Sequence, residues 1–161
     1  VRSDLLFSAL TRDNLRAGNH ERVLEICERH PEAYMGNWSM MRSCARNYLK
    51  LGRVQQAELL FKKAIYPHSG LMVIHLDLAR LHLGQGKRDA ARMDYEKAIE
   101  TARQPYYREL IRGVALHEMY PNDRGRLVKA REHYRQALLI EPQFAQARRR
   151  LELVDARLEQ F

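Results

Sequence analysis

The residues with the clearest chemical potential are cationic. Arg12, Arg46 and Arg80 recur every 34 residues, Arg16 and Lys50 stand four residues behind the first two, and Arg42 stands four residues ahead of Arg46. Side chains four apart share one face of a helix, so each additional cation lengthens the stripe by a turn. Guanidinium groups held in a row suit carboxylates and other anions, which they bind through bidentate, charge-assisted hydrogen bonds. Leu15, Leu49, Leu76, Leu83 and Val73 are apolar or small neighbours of these positions. Arginine beside leucine is the composition of a binding surface more than of a purely solvated one. The competing reading is a solvated face on which Asp77, three residues before Arg80, serves as an ion-pair partner.

Other chemistry is poorly represented. The chain holds no Gly-rich phosphate loop, GxSxG elbow, HExxH or CxxC. No catalytic residues, no cofactor and no metal are therefore expected. The histidines (His20, His30, His68, His75, His82, His117 and His133) are scattered, and His82 occupies the slot that Tyr48 fills 34 residues earlier, so it reads as a packing residue. Cys27 and Cys44 fall on apolar faces of what should be adjacent helices; they read as buried thiols, with a disulfide as the alternative. Trp38 at the start of a helix fits either a packing or a contact role. A second basic patch, Arg148, Arg149, Arg150 and Arg157, raises the question of nucleic acid or an anionic surface. Nucleic acid is disfavoured, because Tyr48, Phe61, Tyr95 and Tyr134 fall in core positions and do not interleave with the arginines as stacking platforms would.

The elements that must position these residues are helices. Gly18, Gly52 and Gly86 keep the same 34-residue interval as the arginines. Behind the later glycines a single template returns, with Ala57, Phe61 and Ala64, then Ala91, Tyr95 and Ala98, then Ala130, Tyr134 and Ala137. Small, aromatic and small residues at i, i+4 and i+7 lie on one helix face, where the alanines admit a neighbouring helix and the ring fills the space between them. Each glycine marks a helix stop followed at once by another helix, so each unit is a helical hairpin. The pattern predicts helices near 3–17, 20–30, 33–51, 54–66, 71–84, 87–103, 106–120, 126–140 and 143–160, and no strand. A single hairpin cannot bury its own apolar stripe, so the units must stack, with the last helix covering the open end.

These residues resemble the tetratricopeptide repeat family of 34-residue helical hairpins. Gly52, Ala57, Phe61 and Ala64, and again Gly86, Ala91, Tyr95 and Ala98, match its Gly, Ala, aromatic, Ala pattern, as do Tyr48 before a turn and Pro142 after the fourth unit. In the first unit Val23, Cys27 and His30 stand in for Ala, aromatic and Ala, a departure that puts the tightness of that hairpin in question. The fold implied is all-α, a right-handed superhelical solenoid of about four repeats (4–31, 38–69, 72–103 and 106–142) in a single domain 1–161, with a loop insertion near 120–126 and a capping helix at 143–160. The resemblance also implies that first helices line a concave groove, which makes Arg12, Arg16, Arg42, Arg46, Lys50, Arg80, Leu49, Leu76 and Leu83 the candidate partner-binding residues. The Lys/Asn carboxylate clamp of chaperone-binding members is not reproduced, since its slots hold Ser8, Arg12, Ser43, Val73 and Asp77. The function implied is a non-catalytic scaffold that binds a peptide or protein segment, an acidic one being the chemical match. The alternative is an auxiliary domain of a larger bacterial envelope, polysaccharide-export or assembly protein, by analogy with similar arrays.

Composition agrees with a folded module. Over 161 residues, 28 Lys and Arg face 20 Asp and Glu for a net charge of +8, and 45% of the residues are hydrophobic. That is far from a disordered composition. No run approaches the roughly 18 apolar residues of a membrane span. The chain begins at Val1 without a basic-then-apolar leader, the pattern of a segment cut from a longer protein or of a mature product. Either a cytoplasmic or a periplasmic setting fits. An apolar first helix around Leu5, Leu6 and Phe7 would offer a surface for self-association through the first repeat.

Overall fold

The computed structural model describes residues 2–65 and 71–161, with side chains from residue 9 onward. Among the described residues every element is a helix: α1 (Arg2–Arg16), α2 (His20–Arg29), α3 (Pro31–Tyr34), α4 (Trp38–Lys50), α5 (Val54–Ile65), α6 (Met72–Gly84), α7 (Arg88–Thr101), α8 (Pro105–Met119), α9 (Arg124–Ile140) and α10 (Ala145–Leu158). They group into two compact units, Val1–Ser69 and Gly70–Phe161. The side chains of Leu5, Leu6, Phe7 and Ser8, and all of His68, lie outside the described residues.

The recurring glycines build recurring turns. Gly18, Gly52 and Gly86 have φ of 71°, 72° and 73°, the left-handed region that suits a residue without Cβ. At Gly52 the glycine N–H donates to Leu49 O (3.1 Å) and the Arg53 N–H reaches back to Tyr48 O (2.9 Å); Gly86 and Lys87 repeat this with Leu83 O and His82 O, both at 2.9 Å. This is the Schellman arrangement, which satisfies the orphan carbonyls of the ending helix and turns the chain directly into the next one.

The first unit contains α1 to α5. Ala57, Phe61 and Ala64 of α5 are fully buried, as are Val23 and Cys27 of α2 and Cys44 and Ala45 of α4. Three expectations change here. The helix expected over 33–51 is broken, because α3 stops at Tyr34, Gly36 takes a positive φ, and Asn37 starts α4 by accepting from Ser39 N (3.1 Å) and Met40 N (3.2 Å). His30 does not occupy an alanine-like slot in a packed helix: α2 ends at Arg29, and His30, which precedes Pro31, is exposed with φ −129° and ψ 54°. Cys27 and Cys44 are not thiols but a disulfide, since α2 and α4 bring their Cα atoms to 6.1 Å.

The second unit contains α6 to α10 around Tyr95, Ile111, Leu127, Tyr134 and the alanines of α7 and α9. Helices α8 and α9 approach closely because Gly113 faces the Tyr134 ring: a Cβ there would lie 2.5 Å from a ring carbon. Helix α10 covers the end of this core with Ala147 and Val154, both fully buried, as expected of a capping helix. The loop expected near 120–126 is shorter, because the Asp123 carboxylate caps α9 by accepting from Arg126 N (3.0 Å) and so makes residues 124–126 helical.

Candidate functional site: a basic hollow on α4

In the first unit one face of α4 is polar throughout. Ser39, Arg42, Ser43, Arg46, Asn47 and Lys50, at the i, i+3, i+4, i+7, i+8 and i+11 spacing of a single face, line a hollow of about 230 Å³ opposite Leu15 of α1 and His20 of α2. Its opposite face carries Met41, Cys44, Ala45 and Tyr48 into the core. The same turn of helix that buries the disulfide therefore presents the cations.

A polar lock fixes the wall of this hollow. Asn47 is 1% exposed; its amide Nδ2 donates to His20 O (2.8 Å), so its Oδ1 is left to accept from the His20 ring at Nδ1 (2.9 Å). That pairing places the ring proton of His20 on Nδ1 and ties the start of α2 to the middle of α4. Ser43 Oγ donates to Ser39 O (3.0 Å), one turn back on its own helix. No Asp or Glu lines the hollow. Among the described residues no carboxylate pairs with Arg46 or Lys50, and both are exposed.

The remaining candidates are distributed differently. Arg12 and Arg16 are exposed on α1 but do not line the hollow, and Leu49 is half-buried outside it. Arg80 belongs to the second unit, where it is committed to Glu118 rather than Asp77: its Nε lies 3.0 Å from Oε2 and its Nη2 3.2 Å from Oε1. Glu118 also accepts from Tyr95 OH (2.6 Å) and Arg150 Nη2 (2.9 Å). Burial would raise the Glu118 carboxyl, but the hydrogen bonds and charge of Arg80, the Tyr95 hydroxyl and the Arg150 charge outweigh it and hold the group below its ordinary value. Burial, reinforced by the Glu118 charge, pushes the Tyr95 hydroxyl up, so it stays a proton donor. Leu76 and Leu83 pack against the core of the second unit, which removes them from an open binding surface.

The second basic patch is also largely consumed by structure. Arg148 donates to Pro142 O (2.9 Å), Arg150 binds Glu118, and Arg157 donates to Asn122 Oδ1 (2.6 Å) and Pro121 O (3.3 Å). Arg149 alone of the four is exposed without a described hydrogen bond or ion pair. His82 is a buried packing residue as expected, with Nδ1 2.6 Å from Asp94 Oδ2. Among the described residues no three His, Cys, Asp or Glu side chains are placed to hold a metal ion.

The sequence reading missed His20, Ser39 and Asn47 as partners of the cations on the hollow, and it missed Glu118 as the owner of Arg80. The heptad-like spacing of Ser39, Ser43 and Asn47 with the cations was a usable signal. Glu118, on the next first helix, was obscured by the altered length of the fourth unit.

Residues 76–104, which run from α6 through α7, match the tetratricopeptide repeat family. The solved structures most similar to the chain carry the same architecture. The chain has a tetratricopeptide-repeat fold. It superposes on a tetratricopeptide repeat protein from Parabacteroides merdae with a TM-score of 0.67 at 18% identity, covering 99% of this chain and 60% of that one. A crystal structure of MamA gives a TM-score of 0.62 at 16% identity, covering 98% of this chain and 85% of that chain. The first tetratricopeptide repeat domain of Spaghetti (RPAP3), solved with the HSP90 peptide SRMEEVD, gives 0.53 at 19% identity over 78% of this chain and 95% of that one. No curated protein sequence matches the chain. Within the tetratricopeptide fold, the turn glycines and the buried Ala, aromatic, Ala triplets are the shared framework, and no helix among the described residues is long and apolar enough to cross a membrane.

Proposed function

We propose that this chain is a non-catalytic interaction module whose first unit binds an acidic segment of a partner protein in the α4 hollow. The observation that carries the reading is the hollow itself: Arg42, Arg46 and Lys50 line it, and no carboxylate does. The repeat fold supports it, because rigid helices present side chains without an ordering cost, and one similar structure holds a peptide containing two glutamates and an aspartate. Arginines would fix the orientation of the segment, and Leu15 would contribute apolar contact at the rim. The chemistry asked of the site is binding alone.

The test is fluorescence anisotropy of a labelled acidic peptide with the full chain at low and at about 0.5 M salt, where charge-led binding is screened. Saturable binding that weakens at high salt and is abolished by Arg46→Glu, but not by Arg149→Glu on α10, is the expected result. Equal losses in the two variants would show that net charge, and not the hollow, holds the peptide.

A further inference from the structure

The spacing of the cations specifies more than the sign of the ligand. Arg42, Arg46 and Lys50 are successive members of one i, i+4 row, all lining the same hollow. Four residues of α-helix rise about 6 Å, so the row sets positive charges roughly 6 Å apart over about 12 Å. In an extended chain, side chains two residues apart point the same way and stand about 6.6 Å apart, and four residues span about 13 Å. The two periods coincide. Resting on the reading of the hollow as a site for an acidic segment, we infer that its preferred ligand is an extended peptide with acidic residues at alternate positions, laid along α4 so that three carboxylates meet Arg42, Arg46 and Lys50 in register.

Two further features support this ligand. The lock between Asn47 and His20 consumes both polar ends of the Asn47 side chain, so the row of cations is not interrupted by a competing donor at its centre. The hollow is lined by serines, cations and one leucine, with no Phe, Tyr or Trp. A single-stranded nucleic acid has a comparable phosphate spacing, but it draws much of its affinity from bases stacked on aromatic rings, and none are present. A helical acidic segment would match the row only along one face and would need the hollow to accept its full width of about 10 Å, which a volume of about 230 Å³ does not offer.

The experiment compares two seven-residue peptides of identical composition, each with capped ends and three glutamates. One alternates Ser and Glu; the other carries Glu at every third position, which sends successive carboxylates to opposite sides of an extended chain. Calorimetric titration of the full chain should show the alternating peptide binding about tenfold tighter, the advantage of additional charge-assisted contacts at a partly solvated site. Arg46→Gln, which removes the centre of the row at an exposed position, should bring the two peptides to within about twofold of each other. Equal affinity of the two peptides for the unaltered chain, with both weakened by Arg46→Gln, would overturn the register while leaving the anionic hollow in place. Indifference of both peptides to Arg46→Gln would overturn the hollow and the register together. Tighter binding of a seven-nucleotide oligothymidylate than of the alternating peptide would overturn the assignment to a protein segment.

Discussion

Arg46 and Arg80 occupy the same place in consecutive 34-residue units, yet their surroundings differ in kind. Arg46 lines a hollow that contains no carboxylate, whereas Arg80 is held by Glu118 in a cluster that also engages Tyr95 and Arg150. An arginine on a repeat helix is a binding residue or a structural one according to what the next helix places opposite it. In the first unit the chain spends a disulfide and the lock between Asn47 and His20 on fixing α4, and leaves the cations to solvent. In the second it uses the cation itself to satisfy a carboxylate that is only 19% exposed.

The comparison can be broken most forcefully through the disulfide. A cross-link that closes 17 residues is worth about 3 kcal/mol in the chain-entropy description, so Cys27→Ser combined with Cys44→Ser should lower the stability of the first unit by about that amount. Denaturant unfolding followed separately in each unit by amide exchange would show the change confined to residues before 66. A matching loss in the second unit would mean that the two units are not stabilised by separate means.

Glu118→Gln should cost about 2 kcal/mol, because it leaves Arg80 and Arg150 without their anion, an effect moderated by the partial exposure of both guanidiniums. The same substitution sharpens the comparison, since it frees Arg80 and should give the second unit a weak affinity for acidic peptide that the unaltered protein lacks. Thermal unfolding and peptide titration of this variant measure the two consequences.

Arg46→Glu should weaken acidic peptide binding by a factor of about 10 to 30, while Arg149→Glu changes it by less than about twofold. The smallest effect is that of pH on the second unit. The folded-state pKa of Glu118 lies below its ordinary value of 4.5, so its contribution to stability is present in full above that value and is lost as pH falls through the folded value. The unaltered chain should therefore lose stability in the second unit on acidification below about pH 4.5, by less than the Glu118→Gln substitution costs at neutral pH, and that variant should show a shallower dependence. A steeper dependence in the variant would contradict the role given to Glu118.

Much of the fold could be read from local chemistry. A glycine that must take a positive φ and an Ala, aromatic, Ala triplet that must be buried act within a few residues of themselves, and Gly52, Gly86, Phe61, Tyr95 and Tyr134 behave as their spacing requires. The departures arise where a cap or a tertiary contact overrides the pattern. Asn37 starts a new helix inside an apolar run, Asp123 extends α9 into an expected loop, and Cys27 meets Cys44 only because α2 and α4 pack side by side. The candidate site was legible in the same measure. Arg42, Arg46 and Lys50 share a face by helical periodicity alone, but the fate of Arg80 depended on a carboxylate 38 residues away, and that of Leu76 and Leu83 on a core assembled from four other helices.

The central claim is that the cations of α4, and not the equivalent arginine of α6, form the anion-binding surface. Its most direct test is nuclear magnetic resonance mapping of the full chain titrated with the alternating Ser and Glu peptide. Shifts concentrated at the amides of residues 39–50 and at the His20 ring, with α6 and the Glu118 cluster silent, are the predicted result. Shifts centred on Arg80 and Glu118, or spread evenly over the exposed arginines of both units, would contradict it.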